Sequence, residues 1–552
     1  MTGQHAPGTN RGGARPALCS SHIFSAFLQR AADAPDGIFC HLLRRGVWQS
    51  ITNAAMAAEA RRIAARLRGL GVAAGAVVPI VLEHRPELYS SFIGCSLAGA
   101  VPAFLSPLTP KQDPVVFAQA MAALLARIDP PCVICSAVTG TGLGATDRSV
   151  FNIDTPASDA WGEWSALTTI LGELALLQHS SGTTGLKKGV MLTHGAVLRQ
   201  IGSYAKAIGL TGNDVVASWL PLYHDMGLIT SFLMPVIVGA TIVSLDALEW
   251  TVQPTLLLDA IERFEATLCW LPNFAFHHIA RLAEPGRRWE LRSLRLAVNC
   301  SEPCRAAAFD TFLAALASSG LAAEALQVSY AMAENVFAVT QTPPGIPVRR
   351  SARADAAGLL SCGKPLPGTK LRVVREDGEA ASDGELGEIL VTGNCMFDGY
   401  FRQPDLSAAR LNGGWFATGD LGFVEDGELF VVGRRDDVLN INGRKIIAHE
   451  VEHALTGVTG VAPGRVLVYA EYDNQAGATR LEVAAELNPV RASPEENVIA
   501  AIRRGVVDAC GLWPARVLLL ERGFLLKSTS GKISRAASLQ KLATRRGMDA
   551  LR

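Results

Sequence analysis

Residues 54–68 read Ala-Ala-Met-Ala-Ala-Glu-Ala-Arg-Arg-Ile-Ala-Ala-Arg-Leu-Arg, a strongly amphipathic helix that Gly69 and Gly71 end before an apolar strand at 76–82. Helices stop where glycine releases the backbone, and a short apolar run bounded by turn residues is a buried strand. This unit of helix, glycine turn and strand recurs to about residue 300. The segment Cys95-Ser-Leu-Ala-Gly-Ala-Val-Pro-Ala103 repeats it, with small residues for close helix packing and then a turn into a strand. Such alternation leads to an α/β fold in which helices cover layered sheets.

From about 361 the texture changes. Short strands at 370–375, 385–392 and 428–433 alternate with Asp-Gly and Gly-rich turns, as in a small β-rich subdomain. After Gly433-Arg-Arg-Asp-Asp437 an α+β pattern resumes. It has helices near 448–455 and 494–510, and strands near 465–471, 479–487 and 516–520. The expected division is a disordered tail at 1–18, a large N-terminal domain at 19–433, a hinge at 434–437 and a small mobile C-terminal domain at 438–552.

With 552 residues, 49% hydrophobic and 18% charged, the chain can bury more than one core. Its zero formal net charge gives no nucleic-acid footprint. Eleven cysteines without regular spacing do not make a disulfide framework, and Cys132 and Cys135 read as core thiols on a strand rather than a metal or redox pair. The longest apolar segment, 228–245, contains Pro, Ser, Thr and glycines, which suits a buried helix and strand rather than a membrane span. No secretory signal opens the sequence, so a soluble cytoplasmic protein is expected.

The chemistry begins at Gln178-His-Ser-Ser-Gly-Thr-Thr-Gly-Leu-Lys-Lys-Gly-Val190, after a buried strand at 174–177. Gly182 and Gly185 let backbone N–H groups approach a ligand closely. Ser180, Ser181, Thr183 and Thr184 add hydroxyl donors, and Lys188 adds a point charge, so the loop suits phosphate oxygens. It does not fit the GxxxxGK[ST] pattern. It resembles the phosphate loop of the adenylate-forming superfamily, which includes acyl-CoA synthetases, peptide-synthetase adenylation domains and fatty acyl-AMP ligases. Lys187 stands at that loop's usual proline.

Further stretches follow in the same family's order. Trp219-Leu-Pro-Leu-Tyr-His-Asp-Met-Gly-Leu-Ile229 is similar to a segment of fatty acyl-AMP ligases, with His224 where amino-acid-activating relatives carry Asp for the substrate ammonium. The resemblance therefore points away from an α-amino acid. Alone, His224 reads rather as a residue that satisfies local backbone groups. Trp270-Leu-Pro-Asn-Phe-Ala-Phe276 and Val298-Asn-Cys-Ser-Glu-Pro303 also fit the ligase pattern. That fit implies adenine-bordering groups near Cys300, Ser301 and Glu302, and an acyl side lined by Trp219, Asn273, Phe274 and His277. Ser329-Tyr-Ala-Met-Ala-Glu334 matches Y-G-[ML]-[TA]-E, with Tyr330 able to stack on a purine and Glu334 offering a hard oxygen to Mg²⁺. Ala331 and Cys300 replace smaller family residues. If they line the acyl tunnel they narrow it.

Trp415-Phe-Ala-Thr-Gly-Asp420 places a carboxylate suited to a ribose diol, and the resemblance adds Arg434 at the junction and Asp436 as the hinge. Asn442-Gly-Arg-Lys-Ile-Ile-Ala-His-Glu450 continues the pattern. Lys527-Ser-Thr-Ser-Gly-Lys-Ile-Ser-Arg535 is similar to K-T-x-S-G-K-I-x-R, whose second lysine, here Lys532, enters the active site.

The activity implied is ATP- and Mg²⁺-dependent activation of a small-molecule carboxylic acid to acyl-AMP, with Lys532, Glu334 and His224 as catalytic candidates. Two acceptors stay open. The pocket motifs favour an acyl carrier protein acting in trans. The short segment 343–360, which lacks the longer insertion of many acyl-AMP ligases, suits free CoA equally. A nucleotide-binding protein without turnover is a third reading, opposed by intact Glu334, Asp420, Arg434 and Lys532.

Overall fold

The structure is a computed structural model. It describes residues 22–109, 112, 114–143, 149–155, 173–180, 187–284, 286–353, 356, 358–441, 444–473, 478–491, 493–527 and 533–549. The expected tail at 1–18, the loop residues Ser181, Gly182, Thr183, Thr184 and Gly185, and Lys532 lie outside these.

A nine-stranded sheet forms the centre. Its order is Lys364–Pro365, Ala338–Gln341, Leu326–Ala331, Leu296–Asn299, Leu268–Leu271, Val215–Ser218, Thr241–Ser244, Ile38–Arg44 and Val47–Thr52. The strands from Leu326–Ala331 through Ile38–Arg44 pair in parallel, and antiparallel strands close both ends. Parallel strands are covered on both faces, so their residues are apolar throughout rather than alternating. Val216, Ala217, Leu268, Trp270, Leu296 and Val298 are accordingly all buried.

A second, four-stranded parallel sheet runs Val101–Phe104, Val77–Val81, Cys132–Cys135, Ser149–Asn152. Helix Asn53–Gly69, capped by the Thr52 side chain, packs Ile63, Ala64 and Leu67 inward and lies against helix Pro86–Leu97. At Gly94 a Cβ would stand 2.7 Å from the Ala60 carbonyl, so the close helix contact needs glycine there. Cys132 and Cys135 are buried free thiols, both pushed up to about 11 by burial, as core thiols should be.

Strands Thr369–Val374, Gly387–Gly393, Leu411–Asn412, Trp415–Glu425 and Glu428–Arg434 make an antiparallel sheet. Beyond it come the hairpin Val438–Ile441 and Arg444–Ile447, helix Ala448–Ala454, and a sheet of Val461–Asp473, Ala478–Leu487 and Arg516–Leu520. Helix Glu495–Cys510 lies over that sheet, and Val451, Val468, Val483, Val498, Ile502 and Val506 form a core separate from that of the large sheets. Among the described residues no helix is long and apolar enough to cross a membrane.

Candidate active site

Four expected site segments leave adjacent strands of the central sheet at the same edge. Trp219 follows Val215–Ser218, Asn273 follows Leu268–Leu271, Cys300 follows Leu296–Asn299, and Tyr330 lies near the end of Leu326–Ala331. Because these strands are parallel, their carboxyl ends share one side, where open α/β sheets gather ligand-binding loops.

The loops are tied together. Asn299 Nδ2 donates to Asn273 Oδ1 at 2.9 Å, and the Arg305 backbone N–H donates to the same oxygen at 3.2 Å. The Phe274 backbone N–H donates to Glu302 Oε2 at 3.1 Å. Asn273 thus fixes the helix Asn273–Leu282 against the loop of Cys300, Ser301 and Glu302 through its own side chain. Ser301 takes φ 73°, a left-handed turn that costs energy for a residue with a Cβ. The Cys300 thiol is fully buried and pushed up to about 12 by burial, so it is a neutral filler and not a nucleophile.

Trp219 stacks on Trp250 with ring centroids 3.6 Å apart and planes 3° from parallel, and Phe274 stands edge-on to both. Phe274 is exposed and His277 half-buried, its imidazole lowered by burial. His224 precedes the short helix Asp225–Leu228, where its carbonyl accepts from the Leu228 N–H at 2.7 Å. Gly227 is required, since a Cβ there would meet the Pro221 carbonyl at 2.3 Å. The helix continues through a π-type turn at Ile229–Leu233, a departure from α geometry that recurs at functional sites.

Glu334 and Asp420 are each held by a tyrosine. Tyr400 Oη donates to Glu334 Oε1 at 2.7 Å, and Tyr330 Oη donates to Asp420 Oδ2 at 2.6 Å. Arg434 Nε reaches Asp420 Oδ1 at 3.1 Å. Glu334 sits in a tight turn at Ala333–Asn335, followed by Val336 at φ 63°, ψ −54° with the Phe337 N–H donating to the Asn335 carbonyl at 2.7 Å. A β-branched residue at the centre of such a γ-turn is strained, and strain of this kind collects where a side chain must be presented in one place.

The hairpin strands Leu174–Ser180 and Lys188–Thr193 bracket in sequence the stretch expected to bind phosphate, and Ser180 pairs with Lys188. Lys188 Nζ lies 5.4 Å from the Tyr400 ring centroid. Its amine is lowered by burial first and Arg410 next, with Glu334 opposing them. Lys187, at the family's proline, lies over Tyr223. Ala331 is half-buried, and Asp436 is exposed between Arg435 and Asp437. Tyr400, Trp250 and Arg305 join the site without having been singled out from the sequence. Tyr400 is 66 residues from Glu334, and no spacing rule links such a pair.

Among the described residues no group of three or more His, Cys, Asp and Glu could hold a metal by itself. The protein is an adenylate-forming ligase, as its family match and ligase-named relatives show. The chain belongs to the AMP-binding enzyme family, whose sequence profile matches residues 27–401. It is 29% identical over 547 residues to the long-chain-fatty-acid–AMP ligase FadD26 of Mycobacterium marinum, covering 90% of this chain and 92% of that one. It is 29% identical over 403 residues to the medium-chain-fatty-acid–[acyl-carrier-protein] ligase JamA of Moorena producens, covering 66% and 67% of the two chains. Its fold matches that of the McyG A-PCP complex with phenylalanyl-adenylate, with TM-score 0.85 at 23% identity and 96% of each chain covered. A structure from work on fatty acyl-adenylate ligases of E. coli and L. pneumophila gives TM-score 0.83 at 22% identity, covering 96% of this chain and 98% of that one.

Proposed function

We propose that the protein activates a fatty or related carboxylic acid as acyl-AMP and passes the acyl group to the phosphopantetheine thiol of an acyl carrier protein. The convergence of Trp219, Asn273, Cys300 and Tyr330 at one sheet edge, beside Glu334 and Asp420, carries this reading. The acid's carboxylate attacks the α-phosphorus of ATP and pyrophosphate leaves. Such phosphoryl chemistry asks for positioning and charge neutralisation rather than a covalent nucleophile.

In this reading the Ser180–Lys188 loop binds the phosphates, through Ser180, Ser181, Gly182, Thr183, Thr184, Gly185 and Lys188. Tyr330 faces the purine, Cys300, Ser301 and Glu302 border it, and Asp420 with Arg434 holds the ribose. Trp219, Asn273, Phe274, His277 and Ala331 shape the acyl side, and His224 stands at its mouth. Lys532 bridges the acid carboxylate and the α-phosphate. Glu334 fits Mg²⁺: it is a hard carboxylate oriented through Oε1 by Tyr400, and no described residue donates to its other oxygen. Bound there, Mg²⁺ would draw charge from the phosphates. The C-terminal domain, proposed as 438–552, turns about a hinge at 434–437 with Asp436 as its pivot, and this withdraws Lys532 and admits the thiol.

The JamA name supports a carrier as acceptor. The short 343–360 segment supports free CoA as a second reading. Mass spectrometry of products from ATP, Mg²⁺ and an acid panel, with CoA and a phosphopantetheinylated carrier supplied separately, tests both. Acyl-AMP that persists with CoA and loads the carrier is the expected result. Prompt acyl-CoA formation would replace the carrier reading, and absence of acid-dependent pyrophosphate release would remove both.

A further inference from the structure

The turn at 435–437 is gripped from both sides. Arg435 NH1 binds Glu388 Oε2 at 2.7 Å, and Glu388 belongs to strand Gly387–Gly393 of the antiparallel sheet. The preceding Arg434 binds Asp420 of the same sheet. Two residues later the partner changes. Asp437 Oδ1 accepts from Arg535 Nε at 2.8 Å, and Arg535 opens the last helix, Arg535–Asp549. Asp436 is thus the residue between a side chain fastened to the larger part and one fastened to the C-terminal part.

Arg535 is itself fully engaged. Its NH2 binds Glu452 Oε1 at 2.7 Å, and its NH1 donates to the Val468 carbonyl at 2.8 Å. The Val468 N–H donates back to Glu452 Oε1 at 2.8 Å. Arg535 side-chain exposure is 23%, Asp437 21% and Glu452 18%, so water screens this cluster less than a surface pair. A planar guanidinium with donors on three sides holds helix Ala448–Ala454, strand Val461–Asp473 and the turn at 435–437 in one geometry, which a lysine point charge would not. Just before it, Lys527 and Ile533 bridge in antiparallel fashion and the Ser534 N–H donates to the Leu526 carbonyl at 2.8 Å. The residues on either side of 528–532 are thus joined to each other immediately before Arg535.

We propose that Arg535 is a positioning residue for acyl-AMP formation: its contacts to Asp437 and Glu452 lock the start of the last helix, shortly after Lys532 in the chain, to the pivot, so that rotation about Asp436 brings Lys532 to one place. The inference rests on Lys532 acting in adenylation, as proposed above. Delivery matters for the first half-reaction and not for thiol transfer, when Lys532 has withdrawn. A structural role alone would impair both.

The test uses the full-length chain and the acid giving the strongest ATP–pyrophosphate exchange in a panel of straight-chain acids. Exchange reports adenylation. Thioester formation from synthetic acyl-AMP and pantetheine reports transfer. In Arg535→Met, exchange kcat should fall about 100-fold with KM for ATP little changed, since small misplacement of a catalytic group costs rates of that order. Transfer should stay within about threefold of wild type, and Arg535→Lys should recover part of the exchange. Asp437→Asn removes one contact and leaves Arg535 on Glu452, so the C-terminal core stays anchored if Arg535→Met unfolds it. Its exchange should fall about tenfold, the worth of one charged hydrogen bond, with transfer kept. Exchange unaffected in both variants, or exchange and transfer falling together in Asp437→Asn, would overturn the inference. Lys532→Ala, run alongside, separates the two levels. Loss of exchange there but not in Arg535→Met refutes only the positioning role, whereas unchanged exchange in Lys532→Ala refutes the assignment of Lys532.

Discussion

Tyr330 Oη and Asp420 Oδ2 stand 2.6 Å apart, joining two strands whose residues are 90 positions distant in the chain. With Arg434 on the other oxygen, both acceptors of Asp420 are engaged. A ribose diol bound here, as proposed, would share or replace these donors, which a carboxylate with its several lone pairs permits and an amide does not. Asp420→Asn should therefore raise KM for ATP about tenfold or more, because a charged acceptor is lost and an amide N–H₂ is set against Arg434 or Tyr330. Tyr330→Phe leaves the carboxylate intact and should change KM for ATP less than Asp420→Asn does. Exchange kinetics with varied ATP measure both, and equal KM values in wild type and Asp420→Asn would count against the ribose assignment.

Gly433 precedes the pivot, and His449 fills the space a side chain would need. A Cβ on Gly433 would lie 2.3 Å from His449 Cε1 and 2.9 Å from Nδ1. Helix Ala448–Ala454 carries Ala448 and Val451 in its own core and cannot shift freely. Gly433→Ala should cost about 1–3 kcal/mol through overpacking, seen as weaker ordering of the C-terminal part in hydrogen exchange. Adding His449→Ala should return most of that loss, so the two changes are strongly non-additive. Additive losses would show that the contact is not what constrains position 433.

Much of this architecture follows from periodicities visible in the chain. The helix at 54–68 appears as Asn53–Gly69, the strand at 76–82 as Val77–Val81, and the one at 516–520 as Arg516–Leu520, since one apolar face or one buried run determines each. The strand expected at 465–471 extends to Val461–Asp473 because an irregularity between Val461 and Val466 lets Val461 pair with Leu487. Bulges carry no compositional mark. The site motifs are equally local, and Trp219, Asn273 and Cys300 each fall just after a strand of the central sheet. Their tethers are not local. Arg435–Glu388, Tyr400–Glu334 and Arg305–Glu450 join residues 47, 66 and 145 positions apart, and only the folded sheet order brings them together.

Acid should weaken the fold before its carboxylates titrate. Burial pushes the imidazoles of His22 and His179 down to about 3, with His194 adding to the first and Lys187 and Arg127 to the second. Both are neutral in the folded chain, while in the unfolded chain they take up protons below the ordinary value of 6.5. The unfolded state thus binds more protons between about 6.5 and 3, and stability falls as pH falls through that window. Each such histidine adds a slope of up to about 1.4 kcal/mol per pH unit. Urea midpoints taken at stepped pH should drop on acidification from 6.5, and less steeply in His22→Gln. A flat midpoint across the window would mean these rings are charged in the fold.

The acyl side should favour short or medium acids over long ones. By the resemblance Ala331 stands where the family has glycine and Cys300 where it has a smaller residue; Cys300 is fully buried and Ala331 half-buried. Burial keeps the Cys300 thiol neutral, so any effect it has on the acyl side comes from its volume. Interiors are packed too closely for a chain to displace such atoms without strain. Removing them by Cys300→Gly with Ala331→Gly should move the ratio of kcat/KM for long over medium acids upward by about tenfold, the worth of a methylene or two in an apolar pocket. Acid-dependent exchange across a chain-length series measures the ratio. If the unmodified enzyme already turns over long acids faster than medium ones, the two side chains do not bound the tunnel.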